Sequence, residues 1–366
     1  MGEKGVQTLM IAGGGTGGHI YPAIAIAREF LAFIPNRSVV FVGTERGLEK
    51  TIVPKAGFPL EFISAGGLKG KGPIELVRNL AKLPLGFIQA FHQIGKHKPA
   101  AVLDVGGYSS GPVLAAAKLR GVPTIIHEQN AFPGLTNRLL AKFVTAVVVA
   151  FADAGPRMKR KDAIVTGNPI RREFFKSQDS GLRTQDSAKR RLLIFGGSQG
   201  SHILNETMSG ALLFLAHLKD SIDIVHQTGQ NELAKVQASY RSSAFENARV
   251  VPYLDPMVDE IAAADLVVSR AGAMTIGELA AIGRPSILVP FAAATNNHQD
   301  VNARVVEKAG GGIVITETEL TPEKLAGAIS DLIANPDRLK RMGIAAMSLA
   351  TPEATKRIVD TIDKII

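Results

Sequence analysis

A glycine-rich stretch near the start of the chain carries residue types that handle phosphate groups and protons. The segment AGGGTGGHIYP, residues 12–22, contains Gly13-x-Gly15-x-x-Gly18 with His19 immediately after it. Glycines at the start of a helix leave backbone N–H groups open to a ligand, and the helix dipole favours an anion there. Because imidazole titrates near neutral pH, His19 is a candidate general base, with a loop-ordering hydrogen bond as the alternative role.

Three other glycine-containing turns have a similar form. They are VGGYSSGP at 105–112, GGSQG at 196–200 and SRAGAMTIGELAAIG at 269–283, and each lies between a short apolar run and a helical pattern. Tight turns between a strand and a helix favour glycine even where nothing binds. Four such turns in one chain nevertheless predict a polyanionic ligand.

The first turn has the spacing of a dinucleotide-binding fingerprint, but the rest of that fingerprint is missing. It requires an acid at the end of the second strand to bind the ribose. Here that strand runs into Gly43 and Thr44, and Glu45 comes only afterwards. The turn at 196–200 lacks the spacing, and the chain has no Gly-Lys-Ser/Thr P-loop. An oxidoreductase and an ordinary nucleotide kinase are therefore both disfavoured.

Metal-binding patterns are also missing from the sequence. No two histidines are four residues apart, and no Asp-x-Asp pattern is present to hold Mg²⁺ on a nucleotide diphosphate. We therefore predict no metal and no other cofactor. The charge of a leaving diphosphate would then be stabilised by helix amino termini and by Arg or Lys side chains.

The composition is that of a folded globular protein. Of 366 residues, 46% are hydrophobic and 20% are charged, and the absence of cysteine excludes disulfides and thiolate metal sites. At about 150 residues per domain this length predicts two domains. The first apolar run is too short for a signal peptide, and no stretch reaches the ~18–20 apolar residues that cross a bilayer. We therefore expect a soluble or peripheral protein in the cytoplasm.

The net charge of +9 predicts anionic partners, such as nucleic acid, acidic lipid or phosphorylated substrates. Aromatic residues make up only 5% of the chain. They do not alternate with basic residues, as they do in proteins that stack nucleic-acid bases on aromatic side chains. We therefore predict no nucleic-acid partner.

The elements that must position these turns can be read from two similar segments, 7–31 and 190–215. Each has an apolar run, a glycine-rich turn and a helical period, which is the opening of a parallel sheet. Further strands are predicted at 39–42, 101–105, 124–127 and 145–149 in the first half, and at 222–226, 249–251, 266–269 and 286–289 in the second. Helical patterns alternate with them, so the predicted fold class is α/β, with two Rossmann-like parallel-sheet domains.

The boundary between the two predicted domains lies near the middle of the chain. TGNPIR, at 166–171, predicts a turn at the junction, and the polar stretch 177–191 predicts a linker or surface excursion. We place the domains at 1–167 and 168–351, with a last helix at about 352–366 that can pack back on the first. Ligands of such a pair are expected in a cleft between the carboxyl ends of the two sheets.

Cations and apolar residues coincide between Glu61 and Asp104. Glu75 is the only acid in this interval, and residues 73–91 have apolar positions at helical spacing. Such a stripe flanked by cations can lie in an anionic lipid interface, whereas the alternative is a core-facing helix with a solvated basic face. The candidate membrane patch consists of Leu76, Leu80, Leu83 and Phe87 with Lys69, Lys71, Arg78 and Lys82.

Eight motifs spread over nearly the whole chain resemble one family. In order they are GGTGGHIYPAIAIA, GLKGKG, GGYSSGP, HEQNAFPGLTN, TGNPIR, GGSQGSHILN, SRAGAMTIGELAAIGRPSILVPF and NHQDVNA. The set resembles the MurG family, which transfers GlcNAc from UDP-GlcNAc to undecaprenyl-diphosphoryl-MurNAc-pentapeptide (lipid I) in peptidoglycan synthesis. The resemblance implies a GT-B fold with two domains facing across a cleft, and inversion at the sugar without a metal. It also implies an acceptor and membrane-side domain first, a UDP-GlcNAc domain second, and a peripheral location on the cytoplasmic face of an anionic membrane.

The resemblance also implies which residues contact the donor. They are Thr16, Gly17 and Gly18 near the donor side of the cleft, then Asn130 and Arg171, Ser198 near the diphosphate, Leu254 at the uracil, Gly272, Ala273, Met274, Thr275, Ile276 and Gly277 along the nucleotide, Glu278 at the ribose and Gln299 at the sugar. A carboxylate such as Glu278 can accept hydrogen bonds from both ribose hydroxyls.

The implied reaction is attack of the MurNAc 4-hydroxyl on C1 of GlcNAc as UDP departs. It requires a base on one side of C1 and anion stabilisation on the other. His19 is our first candidate for the base, with Asp104 and Glu128 in reserve. Because each half has a phosphate-type loop, we expect UDP at 196–200 and the diphosphate of lipid I at the first loop. The residues expected to hold the acceptor diphosphate are Gly14, Gly15, Gly106 and Gly107.

Two positions depart from the family pattern, and two other functions stay open. Asp104 stands where a glycine is expected, and residues 292–297 are neutral where relatives often carry charge. One alternative is another UDP-sugar enzyme of the same fold, such as a 2-epimerase or a diacylglycerol glycosyltransferase. The other is a membrane-associated nucleotide binder without turnover.

Overall fold

The computed structural model describes residues 6–32, 34–66, 73–176 and 189–366, and within these ranges it leaves the side chains of 73–80 and Thr295 undescribed. The chain divides into two compact units. Unit 1 comprises Met1–Ile170 together with Glu353–Ile366, and unit 2 comprises Arg171–Pro352.

Unit 1 is built on a parallel sheet of seven strands. Its strands are β1 (Gln7–Ala12), β2 (Arg37–Gly43), β3 (Leu60–Phe62), β4 (Ala101–Asp104), β5 (Thr124–Glu128), β6 (Ala146–Val149) and β7 (Ile164–Val165). Their order across the sheet is β3-β2-β1-β4-β5-β6-β7. The sequence did not predict β3 and β7, which are edge strands of three and two residues.

Helices cover both faces of this sheet. They are α1 (Gly17–Leu31), α2 (Glu49–Lys55), α3 (Pro73–His97), α4 (Ser110–Leu119), α5 (Leu135–Leu140) and α6 (Ala154–Arg157), to which the end of the chain adds α15 (Ala354–Asp363). On α15, Ile358 and Ile362 are buried in the same cluster as α1 and the β1 side chain Leu9. The opposite face buries Met10 with α3 and α4 side chains. Because alternate residues of a strand point to opposite faces, β1 is apolar throughout.

Unit 2 repeats this plan with six parallel strands. They are β8 (Arg190–Phe195), β9 (Ile222–Gln227), β10 (Arg249–Val251), β11 (Leu266–Ser269), β12 (Ser286–Leu288) and β13 (Gly312–Val314), in the order β10-β9-β8-β11-β12-β13. The helices are α7 (Arg172–Lys176), α8 (His202–Phe214), α9 (Leu233–Arg241), α10 (Met257–Ala263), α11 (Ala273–Ile282), α12 (His298–Ala309), α13 (Pro322–Ile333) and α14 (Pro336–Met347). Two short 3₁₀ turns, Ala216–Leu218 and Thr295–Asn297, complete the unit.

Candidate functional site

The strand order brings the four glycine turns together in two pairs. Strands β1 and β4 are neighbours whose last residues, Ala12 and Asp104, lie opposite each other, and Phe195 of β8 lies opposite Ser269 of β11 in the same way. The loops that follow these strands therefore lie side by side at the carboxyl edge of each sheet. In both units the strand order reverses between these two strands, which is where doubly wound sheets bind ligands.

In unit 1 the two loops share backbone hydrogen bonds. The N–H of Gly14 donates to the carbonyl of Gly106 at 3.1 Å. The N–H of Gly15 donates to Oε2 of Glu49 at 2.7 Å. A Cβ on Gly107 would lie 2.7 Å from the backbone nitrogen of Gly14, so only glycine allows this approach. The N–H groups of Gly14 and Gly15 therefore already donate to acceptors within the protein.

The start of α1 offers the next N–H groups along the chain. The helix begins at Gly17, and its N-cap residue Thr16 is extended and makes no capping bond through its side chain. The first-turn N–H groups, at Gly17 and Gly18, have no acceptor within the helix. Gly15 has a φ of +88°, and the space that a Cβ would occupy there is open. An anion can therefore approach the first turn of α1 across Gly15.

His19 lies in this first turn and is partly buried. Its ring covers Gly106, where a Cβ would lie 2.8 Å from the Cε1 atom of His19. A second imidazole, that of His127, is fully buried nearby, and burial lowers its pKa to about 4. His127 is therefore neutral at neutral pH, whereas His19 is partly exposed.

The two reserve candidates for the base are both engaged in local hydrogen bonds. Asp104 is fully buried, and its Oδ1 accepts from the N–H of Gly106 at 2.7 Å. Burial raises the pKa of Asp104 to about 7, against the opposing effects of the Ser110 side chain and of that N–H. Glu128 accepts from the amides of Asn130 and Asn137 at 3.1 and 2.9 Å, and from two backbone N–H groups. Its bonds position Asn130 at the end of β5.

In unit 2 the loop at 196–200 has one open side and one packed side. Gly197 has a φ of +93°, with open space where a Cβ would lie, and Ser198 is exposed. Gly200 instead packs against the carbonyl oxygen of Thr228, which would lie 1.9 Å from a Cβ there. The loop therefore presents Ser198 and the start of α8 to solvent while its other side contacts the turn after β9.

Asn205 on α8 holds that second turn in place. Its Nδ2 donates to the carbonyl of Thr228 at 2.9 Å, and its Oδ1 lies 3.1 Å from Nε2 of His226. Burial lowers the pKa of His226 to about 3, so the ring is neutral and can donate from Nε2 to Asn205. Glu232 accepts from Nδ2 of Asn205 as well. The sequence did not single out Asn205, which reads there as an ordinary polar position on a helix.

Glu278 lies on α11 beside a cation. The side chain is 17% exposed, and its Oε1 lies 3.5 Å from Nη2 of Arg171. Burial raises the pKa of Glu278 to about 7, and the charge of Arg171 opposes this shift. Arg171 also pairs with Glu173 at 3.1 Å. The structure thus brings together two residues that the sequence analysis assigned separately to the donor.

The remaining donor candidates divide by exposure. Gln299, in the first turn of α12, uses Oε1 to accept from the N–H of Phe291 at 3.0 Å. Leu254 and Ile276 are buried, 5% and 4% exposed, so they pack within unit 2 in this state. Ala273 is also buried, whereas Gly272, Met274, Thr275 and Gly277 are partly exposed at the start of α11.

Glu49 is the functional candidate that the sequence analysis missed in unit 1. The first acid after the second strand is Glu45, and its side chain is exposed. Glu49 comes four residues later and returns to the first glycine loop. The sequence did contain a signal for Glu49, since it is the second acid in the glycine-containing segment GTERGLEK at 43–50. Within the described ranges, no group of three or more His, Asp or Glu side chains is arranged to hold a metal.

Comparison with known proteins agrees with this architecture. Residues 9–149 match the glycosyltransferase family 28 N-terminal domain, and residues 191–360 match the family 28 C-terminal domain. A relative from Myxococcus xanthus is 48% identical over 97% of this chain and 92% of its own length. One from Geobacter sulfurreducens is 44% identical over 96% and 97%. Both are named UDP-N-acetylglucosamine--N-acetylmuramyl-(pentapeptide) pyrophosphoryl-undecaprenol N-acetylglucosamine transferase.

The crystal structure of Acinetobacter baumannii MurG has a TM-score of 0.82 to this chain, with 30% identity over 98% of this chain and 99% of that one. A UDP-GlcNAc 2-epimerase from Neisseria meningitidis, at 15% identity and a TM-score of 0.67, shares the fold alone. Fold and sites therefore define a glycosyltransferase of the GT-B class. The chain belongs to glycosyltransferase family 28 and, within it, to the MurG family. The predicted α/β class with two Rossmann-like parallel-sheet domains and the resemblance are both confirmed.

Proposed function

We propose that this protein transfers GlcNAc from UDP-GlcNAc to the MurNAc 4-hydroxyl of lipid I and so forms lipid II. The observation that carries the proposal is identity of 43–48% over nearly the full length to relatives named for this transfer. The paired glycine loops at the strand-order reversal of each unit support it, because the reaction involves two diphosphates, one on each substrate.

The donor is assigned to unit 2. Ser198 and the amino terminus of α8 receive the UDP diphosphate, because the open side of the loop lies there. Ionised Glu278 accepts from the ribose hydroxyls, and Arg171 favours its ionised form. Gln299 has its amide nitrogen left for the sugar once its oxygen has accepted from Phe291. The start of α11, from Gly272, lines the nucleotide.

The diphosphate of lipid I is assigned to unit 1. The N–H groups of Gly17 and Gly18 donate hydrogen bonds to this diphosphate. Those of Gly14, Gly15 and Gly106 already donate to acceptors within the protein. Glycines 14, 15, 106 and 107 then have an indirect role, because the lack of a side chain lets the two loops of unit 1 pack closely against each other. Thr16 adds an exposed hydroxyl at the same edge.

His19 acts as the general base. The MurNAc oxygen forms a bond to C1 of GlcNAc while the bond from C1 to the phosphate oxygen breaks, and UDP leaves with the electron pair. Attack from the face opposite to UDP inverts the anomeric carbon. The imidazole accepts the proton of the hydroxyl, and helix amino termini and Arg171 stabilise the departing charge without a metal.

A peripheral position on the cytoplasmic face of the membrane is also proposed. On the described part of α3 the exposed apolar side chains are Leu85, Ile88 and Phe91, whereas Phe87 packs partly against the core. Lys82 lies on the same helix. Lys69 and Lys71 lie outside the described residues, as do the side chains of Leu76, Arg78 and Leu80. None of the helices in the described ranges is long and apolar enough to span a membrane.

The test is an assay of the purified protein with UDP-GlcNAc and a short-chain lipid I analogue. We expect UDP release and a disaccharide-linked lipid only when both substrates are present, with the rate retained in EDTA. Conversion of UDP-GlcNAc without the analogue would instead identify a 2-epimerase, and transfer to diacylglycerol would identify the other alternative. Tight UDP binding without turnover on any acceptor would contradict the proposal in favour of a nucleotide binder.

A further inference from the structure

Glu49 is a buried acid whose carboxyl group accepts three hydrogen bonds. It is the first residue of α2 and is 1% exposed. Oε2 accepts from the N–H of Gly15 at 2.7 Å, and Oε1 accepts from the N–H and the hydroxyl of Thr44 at 2.9 and 3.0 Å. In the part of the chain that the structure describes, no Lys or Arg pairs with it. A buried carboxylate is costly unless hydrogen bonds compensate for the lost solvation. The carboxyl group of Glu49 is therefore held where it can accept these three bonds.

Three glycines form the space that this carboxyl group occupies. A Cβ on Gly14 would lie 2.4 Å from Cδ of Glu49, one on Gly43 would lie 2.5 Å from Cγ, and one on Gly47 would lie 1.9 Å from Oε2. Any side chain at these positions would displace the carboxyl group. The acid is therefore fitted between the loop that follows β1 and the loop that follows β2.

This fit decides which amides a phosphate can use. Glu49 takes the N–H of Gly15, and Gly14 donates to Gly106. A buried negative charge also repels an anion from residues 13–15. The N–H groups of Thr16, Gly17 and Gly18 are thus the first along the loop that remain for an anion, directly before His19.

We propose that Glu49 is a positioning residue for the acceptor: it fixes residues 13–15 so that the acceptor diphosphate is received only at the first turn of α1. This inference rests on the proposed function, which assigns that diphosphate to unit 1. A carboxylate is required rather than an amide. With donors facing both oxygens, glutamine would direct its NH₂ group at the N–H of either Gly15 or Thr44.

The test compares Glu49→Gln with Glu45→Gln, which removes an equal charge from an exposed position in the same segment. We expect Glu49→Gln to raise the KM for the lipid I analogue at least tenfold and to lower kcat, with the Kd for UDP within twofold of the parent. Glu45→Gln should match the parent in all three constants. Equal acceptor constants in Glu49→Gln and the parent would overturn the proposal.

A second variant keeps the carboxyl group of Glu49 but displaces it. Gly47→Ala places a methyl group against Oε2 and should show the same split between acceptor KM and UDP Kd. If Glu49→Gln does not fold, Thr44→Val carries the test, because it deletes one of the three donors and leaves the acid in place. We expect a smaller rise in acceptor KM there, about threefold, and an unchanged value would count against the proposal.

A binding arm separates this inference from the proposed function. With ¹⁵N-glycine labelling, inorganic diphosphate should shift the amide signals of Gly17 and Gly18 in the parent and leave that of Gly15 in place. In Glu49→Gln the Gly15 signal itself should move upfield, and diphosphate should then perturb it. Diphosphate shifts at Gly15 in the parent would refute the role of Glu49, whether or not the protein transfers GlcNAc.

Discussion

At the scale of single residues, the structure separates groups that the sequence makes look alike. Asp104, Glu128 and Glu49 are all buried acids near glycine turns, but Asp104 accepts an N–H through Oδ1, whereas Glu128 and Glu49 accept through both carboxyl oxygens. His19 and His127 are both histidines beside β-strand ends, but His127 is fully buried, which lowers its pKa to about 4, whereas His19 is partly exposed. We therefore propose His19 as the group that exchanges a proton.

The role of His19 gives the first prediction. His19→Gln should lower kcat by about 10²- to 10⁴-fold, the usual contribution of a general base, because glutamine cannot accept the proton. The Kd for UDP should stay within twofold, since the nucleotide is assigned to unit 2. His92→Gln is the control, because His92 is an exposed histidine of the same unit. A kcat for His19→Gln within tenfold of the parent would remove His19 as the base.

Asp104 gives a prediction about pH. Because its pKa is raised to about 7, the folded state holds this proton more tightly than the unfolded chain does. Asp104 therefore contributes stability below pH 4 that is lost as the pH rises through 7. Asp104→Asn keeps the acceptor for Gly106 and removes the titration. It should unfold with a free energy higher by more than ~1 kcal/mol at pH 8.

Chemical denaturation of both proteins from pH 4 to pH 9 measures this difference, which should vanish at the acid end. The same variant should keep kcat within about threefold of the parent, because an asparagine still accepts from Gly106. A large loss of kcat with intact stability would instead make Asp104 the base.

At the scale of elements, both sheets use one device. A strand ends at the reversal of strand order, a glycine loop turns the chain, and a helix begins beside the loop of the neighbouring strand. In unit 2 the loop rests on the turn after β9, where Gly200 meets Thr228 and Asn205 holds the carbonyl. The diphosphate site that we propose therefore depends on the contact of two loops rather than on one motif.

Gly200→Ala tests this contact. The residue has a φ of +75°, and the new Cβ would lie 1.9 Å from the carbonyl oxygen of Thr228, so the loop must move. We expect the Kd for UDP, measured by calorimetry, to rise at least tenfold with the KM for the acceptor unchanged. Gly327→Ala is the matched control, since it lies on α13 with open space around the new methyl group. Equal UDP affinity in both variants would contradict the assignment of UDP to this loop.

At the scale of the whole molecule, a net charge of +9 favours an anionic surface as partner. Leu85 and Ile88 on α3 are 50% and 63% exposed, which fits a helix that enters a lipid interface beside cations. We therefore propose that this part of α3 contacts the membrane.

The double variant Leu85→Glu, Ile88→Glu should lose most of its binding to vesicles containing anionic lipid, measured by flotation. Adding charge to an apolar surface both removes buried area and repels the headgroups. Leu213→Glu adds one such charge at a leucine of unit 2 that is 78% exposed and should leave binding unchanged. Retained flotation of the double variant would exclude α3 as the contact.

The sequence alone determined the fold class, because apolar runs alternate with helical periods and glycine turns throughout the chain, and this is local information. It also predicted Glu278 and Arg171 as donor residues, from motifs in a fixed order. The sequence did not predict the edge strands β3, β7 and β13, which are two or three residues long, although it did predict the equally short edge strand β10. The pairing of Arg171 with Glu278 was not predicted either, since 107 positions separate them in the chain.

Only the tertiary structure decided which loop amides are open to a ligand. Gly14, Gly15 and Gly106 read as phosphate-binding glycines in the sequence, but the N–H of Gly14 donates to the carbonyl of Gly106 and that of Gly15 to Glu49 on α2. The N–H of Gly106 donates to Asp104, two residues earlier. A hydrogen bond made by a backbone N–H depends on what folds against it. Residue type and spacing fix where a loop lies, and packing fixes what the loop can bind.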